Sequence, residues 1–173
     1  MVNRAIFVGR FQPVHNGHLE TFRHILNECE ELVIGIGSSQ EGHTLENPFT
    51  AEERVAMLES ALKEAKIDRS RVHIVEIPDI HDDARWVSHV ESLAPKFSVV
   101  YSGNPWVQRL FKEAGYEVRI QPQFKREEFQ GMEIRDRILK GEKWEDLVPK
   151  AVLEVMREIK AVERLKNLSK TDC

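Results

Sequence analysis

The sequence predicts an α/β fold in which a doubly wound parallel sheet is followed by a helical C-terminal part. Short apolar runs rich in β-branched residues alternate with longer segments of helical period. The connections between the runs are too long for hairpins, so consecutive strands should run parallel, with helices on both faces of the sheet. The alternation stops near residue 121, and only helical patterns follow. In such folds, ligands bind beyond the carboxyl ends of the strands.

Five apolar runs are the predicted strands, at residues 5–8, 32–36, 72–77, 98–101 and 117–121. The first helix between them has one apolar face, made of Leu19, Phe22, Leu26 and Cys29. The second helix begins at a capping box formed by Thr50 and Glu53. Two further helices are predicted at 84–93 and 106–114, and Gly115 can end the latter in a left-handed conformation.

The C-terminal part is predicted to contain a loop at 122–131, a short helix at 132–139 and one long amphipathic helix at 149–165. Pro149 suits the first turn of that long helix. Because 173 residues match the usual size of one domain, we expect a single domain over residues 1–173, with its core at 1–121 and the helical part at 122–170.

Composition and charge exclude several classes of protein. Lysine and arginine number 25 against 29 acidic residues, a net charge of −4, and the charges are interspersed, so no nucleic-acid partner is expected. No apolar run approaches the ~18 residues of a membrane span. The two cysteines, Cys29 and Cys173, do not form a disulfide framework, which is typical of a reducing compartment and predicts a cytoplasmic protein.

The densest group of unusual residues follows the first predicted strand. The segment A-I-F-V-G-R-F-Q-P-V-H-N-G-H runs from Ala5 to His18 between that strand and a helix. Glycine allows close approach to a ligand, and a helix N-terminus attracts anions. The side chains that add donors for a phosphate at this place are Arg10, His15 and His18. The loop therefore predicts a polyphosphate-binding pocket.

Other interpretations of this loop have less support. His15 and His18 lack a third His or a Cys at zinc-ligand spacing, so no metal site is predicted. Exposed histidines in a simple turn would explain either residue alone but not the whole pattern. The segment matches neither G-x-x-x-x-G-K-[ST] nor G-x-G-x-x-G, which argues against P-loop kinases and dehydrogenases.

The segment G-R-F-Q-P-V-H-N-G-H resembles the signature of the nucleotidyltransferase superfamily that carries an H-x-G-H motif. Four more segments resemble the archaeal type of nicotinamide-nucleotide adenylyltransferase: N-P-F-T-A-E-E-R at 47–54, D-I-H-D-D-A-R-W at 79–86, Y-S-G-N-P at 101–105 and G-M-E-I-R at 131–135. The resemblance implies the Rossmann-like nucleotidyltransferase fold, with the phosphate-binding loop of the late motif in the C-terminal part.

Members of that family transfer the AMP moiety of ATP to nicotinamide mononucleotide (NMN), forming NAD and pyrophosphate. The acceptor phosphate is already ionised and is the nucleophile, so no general base is needed. The resemblance implies that His15 and His18 contact the ATP phosphates, that His18 steadies charge on the α-phosphate, and that Arg10 supports them. Arg135 would hold the β- and γ-phosphates, although in isolation it could be a surface arginine.

The resemblance also implies two groups of binding residues. The ATP-binding residues are Val8, Gly9, Arg10, His15, Gly17, His18, Gly103, Asn104, Gly131 and Arg135. The NMN-binding residues are Asp79, Ile80, Asp83 and Trp86. Asn104 followed by Pro105 could instead be simply a helix start. Trp86 could instead pack a helix against the sheet, although its indole also suits a pyridinium ring.

Two residues depart from the family pattern. Met132 stands where related motifs have a hydroxyl that can donate to a phosphate, and Glu46 stands near a position that is basic in some relatives. Mg²⁺ is implied as the partner of ATP, without a dedicated protein metal site. The family further implies homo-oligomers, such as hexamers. Alternatives left open are another acceptor (nicotinate mononucleotide, phosphopantetheine or FMN) and an ATP- or NAD-sensing module without turnover.

Overall fold

The structure is a computed structural model that describes residues 3–120 and 122–171, with side chains for 3–120 and 130–170. Five strands alternate with helices: β1 Arg4–Gly9, α1 Asn16–Glu28, β2 Glu31–Gly37, α2 Ala51–Glu64, β3 Val72–Ile77, α3 Asp83–Leu93, β4 Val99–Tyr101, α4 Pro105–Glu113 and β5 Glu117–Arg119. Three helices follow, α5 Pro122–Lys140, α6 Lys150–Glu158 and α7 Ala161–Thr171. Short 3₁₀ turns lie at Arg69–Arg71 and Glu145–Leu147.

All the described strands pair in parallel, in the order β3-β2-β1-β4-β5. Strand β1 is central: Phe7 lies opposite Ile34 of β2 and Tyr101 of β4. The chain proceeds outward in one direction through β2 and β3, then returns to the other side of β1 as β4. The predicted doubly wound sheet is confirmed, and its crevice is expected where the direction reverses, between β1 and β4.

The two faces of the sheet bury separate apolar clusters. Alternate residues of β1 show this, because Ala5 and Phe7 point to one cluster and Ile6 to the other. The larger cluster includes residues of α1, α2, α5, α6 and α7, while the smaller lies under α3 and α4. Burial on both faces explains why the strands are continuous apolar runs.

Several local signals act as predicted. Thr50 and Glu53 form the capping box of α2: the Glu53 N–H donates to Thr50 Oγ1 at 3.2 Å, and the Thr50 N–H donates to Glu53 Oε1 at 2.9 Å. Gly115 follows α4 with a φ of 91°. The strand and helix ends mostly lie within two residues of the predicted ones. The described helices include none long and apolar enough to cross a bilayer. Cys173 lies outside the described residues.

The C-terminal prediction is wrong in two places. Residues 122–131 are helical rather than a loop, since α5 is continuous from Pro122 to Lys140. The stretch is rich in good helix formers, and α5 packs against α1 and α7, which offsets the cost of about 1 kcal/mol for glycine inside a helix. The predicted long helix is two helices, because Lys160 takes a left-handed φ of 55° between α6 and α7. This turn lets α6 pack on α2 and α7 on α5.

Candidate active site

A cleft of about 630 Å³, open to solvent, lies at the carboxyl ends of β1 and β4. Nine of the predicted site residues line it: Val8, Gly9, Arg10, His15, His18, Gly103, Asn104, Gly131 and Arg135. They come from the end of β1, the loop after it and the first turn of α1, from the β4–α4 loop, and from the middle of α5. We call this the phosphate cleft. Arg135 of the late motif reaches the cleft from within a helix, 117 residues further along the chain than His18.

The two histidines form a buried stack at the start of α1. His15 is the N-cap residue, and its ring centroid lies 3.7 Å from that of His18. The backbone N–H of His15 donates to Nδ1 of His18 at 3.1 Å. Burial, reinforced by His15, lowers the pKa of His18 well below its usual value, so the ring is neutral at pH 7. With Nδ1 an acceptor, the neutral ring carries its proton on Nε2 and can donate it to an anion.

Arg135 is held against the β1–α1 loop by its own hydrogen bond. Its Nη1 donates to the backbone oxygen of Gln12 at 2.7 Å. Burial lowers the pKa of Arg135 to about 10, the charge of Arg10 lowers it further, and the Glu46 carboxylate opposes both effects. Because a pKa of about 10 is still well above 7, Arg135 is protonated at pH 7. Arg10 and Arg135 together make the lining of the cleft positive, which suits a polyanion.

Arg54 is a structural residue of this site that the sequence analysis did not single out. It is fully buried, and its guanidinium donates to five backbone oxygens, those of Thr50, Arg10, Gly37, Ser38 and Glu41. Burial lowers its pKa to about 10. Arg54 thus joins the loops that follow β1 and β2. A signal was available, because Arg54 falls at i+3 from Ala51 and i−4 from Leu58 on the apolar face of α2.

Gln12 is a second residue that the sequence analysis missed. Its buried side chain donates from Nε2 to the Phe49 oxygen at 3.0 Å and accepts from the Phe49 N–H at 2.9 Å. This pair of bonds ties the β1–α1 loop to the segment before α2. In the same loop Phe11 has a φ of 54°, a conformation that non-glycine residues rarely adopt. Its tertiary packing among buried rings, including His18 at 4.6 Å, holds it there.

Three residues discussed from the sequence lie apart from the cleft lining. The first is Gly17. A Cβ atom at this position would lie 2.5 Å from Gln130 Oε1 and 3.1 Å from the His15 ring. Because glycine has no Cβ, the His15 ring can approach the helix. Met132 is 55 % exposed and does not line the cleft. Glu46 is exposed, and its carboxylate is near enough to Arg135 to affect its pKa.

A second cleft, of about 830 Å³, adjoins the first and shares Val8, Gly9, Arg10 and Asn104 with it. We call it the aromatic cleft. Asp79, Trp86 and Trp106 line its other walls. Of the predicted NMN-binding residues, Ile80 and Asp83 are not part of this lining. Ile80 packs against the smaller apolar cluster, and Asp83 forms an exposed ion pair of 3.3 Å with Arg109.

Trp86 belongs both to the apolar core and to the wall of the aromatic cleft. It is 5 % exposed and packs edge-on against Phe111 at 5.5 Å, as a core residue does, yet it also lines the aromatic cleft. Its ring contacts that of Trp106, which is 38 % exposed and lines the same cleft, with ring centroids 4.8 Å apart. Trp106 was not predicted as a site residue. The signal was a large aromatic directly after the Asn104–Pro105 helix start, at the edge where ligands bind.

Asn104 acts as the predicted helix cap and also lies at the junction of the two clefts. Its side-chain oxygen accepts from the backbone N–H groups of Trp106 at 2.9 Å and Val107 at 3.4 Å, which caps α4. The same residue lines both clefts. Within residues 3–120 and 130–170, we find no group of three or more His, Cys, Asp or Glu side chains placed to hold a metal ion.

Comparison with known proteins agrees with this geometry. Residues 6–137 match the sequence model of the cytidylyltransferase-like family. Fold and site therefore define a nucleotidyltransferase of that class, as the motifs predicted.

Among curated proteins, the chain is 52% identical to the nicotinamide-nucleotide adenylyltransferase of Pyrococcus horikoshii over 166 residues, covering 96% of this chain and 89% of the relative. It is 50% identical to the nicotinamide-nucleotide adenylyltransferase of Archaeoglobus fulgidus over 173 residues, covering 98% of this chain and 99% of the relative. The chain belongs to the nicotinamide-nucleotide adenylyltransferase family.

A solved structure has the same fold. A bifunctional NMN adenylyltransferase/ADP ribose pyrophosphatase from Francisella tularensis superposes with a TM-score of 0.72 at 24% identity. The match covers 99% of this chain and 57% of that protein, so this chain spans little more than half of it. A second structure of that protein, complexed with AMP and a manganese ion, gives a TM-score of 0.70 at 23% identity.

Proposed function

We propose that this chain transfers the AMP moiety of ATP to NMN and thereby forms NAD and pyrophosphate. The observation that carries the proposal is the junction of the two clefts along residues 8–10 and Asn104. ATP in the phosphate cleft and a pyridine nucleotide in the aromatic cleft meet at that junction with their phosphates adjacent. The names of the archaeal relatives, about half identical to this chain, support the same reaction.

In the proposed ATP complex, the triphosphate lies among the histidine stack, Arg10 and Arg135. Gly9 and Gly131 allow the backbone to approach it, since neither has a side chain to fill the cleft. Gly103 and Asn104 take the adenosine beyond β4. Gly17 contributes indirectly, through the room it leaves for the His15 ring.

The reaction needs positioning and charge stabilisation more than proton transfer. An oxygen of the NMN phosphate attacks the α-phosphorus of ATP, a P–O bond forms, and the bond to the pyrophosphate oxygen breaks with its electron pair leaving on pyrophosphate. The neutral His18 donates Nε2–H to an α-phosphate oxygen, where charge builds up. Arg135 and Arg10 bind the leaving pyrophosphate, whose charge grows as the bond breaks.

The proposed NMN complex has the pyridinium ring against Trp86 and Trp106. A cationic ring is attracted to the indole face, and the exposed part of Trp106 offers that face to the cleft. Asp79 lies on the same lining. Ile80 and Asp83 contribute only from the adjoining segment, because neither lines the cleft.

Mg²⁺ is proposed to arrive with ATP as part of the substrate. Among the residues whose side chains the structure describes, the lining of the phosphate cleft includes imidazoles and guanidiniums but no carboxylate, so we expect the phosphates to supply most of the ligands of the ion. We also propose that residues 1–173 form one domain, because α6 and α7 share the larger apolar cluster with the sheet. Assembly into homo-oligomers such as hexamers, and a cytoplasmic location, stay predictions from the sequence.

The test is formation of pyrophosphate and dinucleotide from MgATP. Parallel reactions contain NMN, nicotinate mononucleotide, phosphopantetheine, FMN or no acceptor. The proposal expects NAD from NMN with wild type and almost none with His18→Ala. Product with another acceptor alone would reassign the substrate. Binding of ATP without product from any acceptor would instead indicate a sensing module.

A further inference from the structure

A buried glutamine supports the arginine of the late motif. The backbone oxygen of Gln12 accepts the hydrogen bond from Arg135 Nη1 at 2.7 Å, so the place of that oxygen sets the place of the guanidinium. The Gln12 side chain is buried and makes two hydrogen bonds to the backbone of Phe49, at 2.9 and 3.0 Å. The position of Arg135 therefore depends on the position of Phe49, in the segment before α2.

That segment is held in turn by the C-terminal helix α7. Arg164 Nη1 donates to the Pro48 oxygen at 3.0 Å, and the guanidinium carbon lies 6.0 Å from the centre of the Phe49 ring. The same guanidinium pairs with both carboxylate oxygens of Glu53, at 2.6 and 2.7 Å. Glu53 also accepts the Thr50 N–H at the start of α2. Arg164 thus contacts both ends of the segment that receives the Gln12 side chain.

These contacts form one continuous path from α7 to the phosphate cleft. It runs from Arg164 through the segment before α2 to Gln12 and ends at Arg135. The path is mostly buried: Phe49 is fully buried, and the ion pair of Arg164 with Glu53 is largely shielded from solvent. Charge-assisted hydrogen bonds in such surroundings hold a fixed geometry. A guanidinium that is already in place binds an anion without the entropy cost of ordering its side chain.

We propose that Gln12 and Arg164 are positioning residues for the leaving pyrophosphate, and that both act through Arg135. The proposal rests on the function proposed above and deepens it, because it names the residues that fix the pyrophosphate ligand. Arg164 is not among the described residues that line either cleft, so its effect on the anion has to pass along the path.

The first measurement is binding of pyrophosphate in the presence of Mg²⁺, by isothermal titration calorimetry. Gln12→Met removes both bonds to Phe49 at similar side-chain length, and we expect Kd to rise about tenfold, as loss of a supporting partner does at metal sites. Arg164→Met should raise Kd about threefold, a usual size for coupling through packed residues. Arg164→Lys keeps a charge beside Glu53 and should recover part of the loss.

Lys166→Met is the matched control. Lys166 lies on the same helix as Arg164, is exposed, and loses the same charge in the substitution. Its Kd for pyrophosphate should equal that of wild type. An equal rise of Kd in Lys166→Met would show a general charge effect and overturn the proposal. So would an unchanged Kd in Gln12→Met, with urea unfolding showing that the variant is folded.

Double variants distinguish positioning from a merely structural role. Once Arg135 is methionine, Gln12→Met should add no further loss of pyrophosphate affinity, because the residue through which it acts is gone. Likewise, Gln12→Met combined with Arg164→Met should bind like Gln12→Met alone. Arg164→Lys takes the place of Arg164→Met if the latter does not fold. A Kd raised by the product of the single effects in either pair would contradict the path.

Steady-state kinetics give the second readout. The KM for ATP should rise in Gln12→Met and the KM for NMN should stay within about twofold, since neither Gln12 nor Arg135 belongs to the described lining of the aromatic cleft. Equal rises of both KM values would overturn the proposal. If wild type binds pyrophosphate but forms no dinucleotide, the proposed function fails, and the Kd values still decide whether Gln12 and Arg164 position Arg135. A folded wild type that binds no pyrophosphate would refute the positioning proposal itself.

Discussion

Replacement of His18 by alanine tests the chemistry of the phosphate cleft most directly. The variant removes the Nε2–H that we assign to the α-phosphate oxygen. Loss of one preorganised donor at such an oxygen costs about 2.7–4 kcal/mol in the barrier, or about 100- to 1,000-fold in kcat. We expect a loss within that range, since His18 is 5 % exposed and therefore held in a fixed position.

The same substitution has a structural cost that must be separated from the chemical one. His18 Nδ1 accepts the N–H of the N-cap residue His15, and loss of such a capping bond costs about 0.5–2 kcal/mol of stability. Removal of the ring also ends its stacking with His15. We expect a folded but less stable protein, with the KM for NMN within about twofold of wild type because the aromatic cleft is untouched.

The assay is pyrophosphate release at saturating MgATP and NMN, with urea unfolding of each variant measured in parallel. His24→Ala is the matched control, since His24 is on the same helix and pairs with Glu28 at the surface, away from both clefts. It should turn over like wild type. A His18→Ala variant that is folded and turns over within threefold of wild type would refute the role assigned to His18.

Three further outcomes are expected. Burial and His15 lower the pKa of His18, so below about pH 6.5 the unfolded chain binds a proton that the folded chain does not. The free energy of unfolding should therefore fall as the pH drops below about 6.5, by up to about 1.4 kcal/mol per pH unit. Urea unfolding of His18→Ala should show a shallower fall. Arg54→Met leaves five backbone oxygens without their donor and should cost more than about 3 kcal/mol of unfolding free energy by urea titration, with Arg54→Lys recovering part; equal stability would contradict the bridging role. Trp106→Ala should raise the KM for NMN about 2- to 30-fold and leave that for ATP unchanged, whereas the exposed Leu93→Ala should change neither in the same steady-state assay.

Most residues of the phosphate cleft could be predicted from the sequence because they belong to one local motif. Gly9, Arg10, His15 and His18 lie within ten residues, between a strand and a helix start, so their proximity follows from chain connectivity. The start of a helix directly after this loop gives, from the sequence alone, the physical reason to expect anion binding. Arg135 lines the same cleft, but only the resemblance pointed to it, since nothing local to α5 indicates that it meets the Gln12 oxygen.

The missed residues have a common property: each acts through a contact between distant parts of the chain. Gln12 bonds to Phe49, Arg54 to the loops after β1 and β2, and Arg164 to Glu53. Glutamine and arginine are ordinary surface residues by composition, so such contacts leave no periodic signal. Only the burial of Arg54 could have been recognised from the sequence, because a charged residue stands on the apolar face of α2 where a hydrophobic residue is expected.

The C-terminal part shows the opposite failure. Periodicity indicated one helix over 149–165, and the apolar face was real, but the left-handed turn at Lys160 depends on α6 and α7 packing against different helices. The loop predicted at 122–131 is helix for a related reason, because packing of α5 on α1 and α7 stabilises a segment whose glycine argues against a helix.

The sequence by itself determined the order of strands and helices up to β5, the parallel sheet and the residues of the phosphate loop. Those features depend on local periodicity, on glycine and proline, and on connections too long for hairpins. The tertiary structure alone decided that two clefts meet at residues 8–10 and Asn104, that Trp106 faces Trp86, and that Arg164 holds the segment before α2. Contacts between residues far apart in the chain depend on how the layers pack, and no pattern within a single segment contains that information.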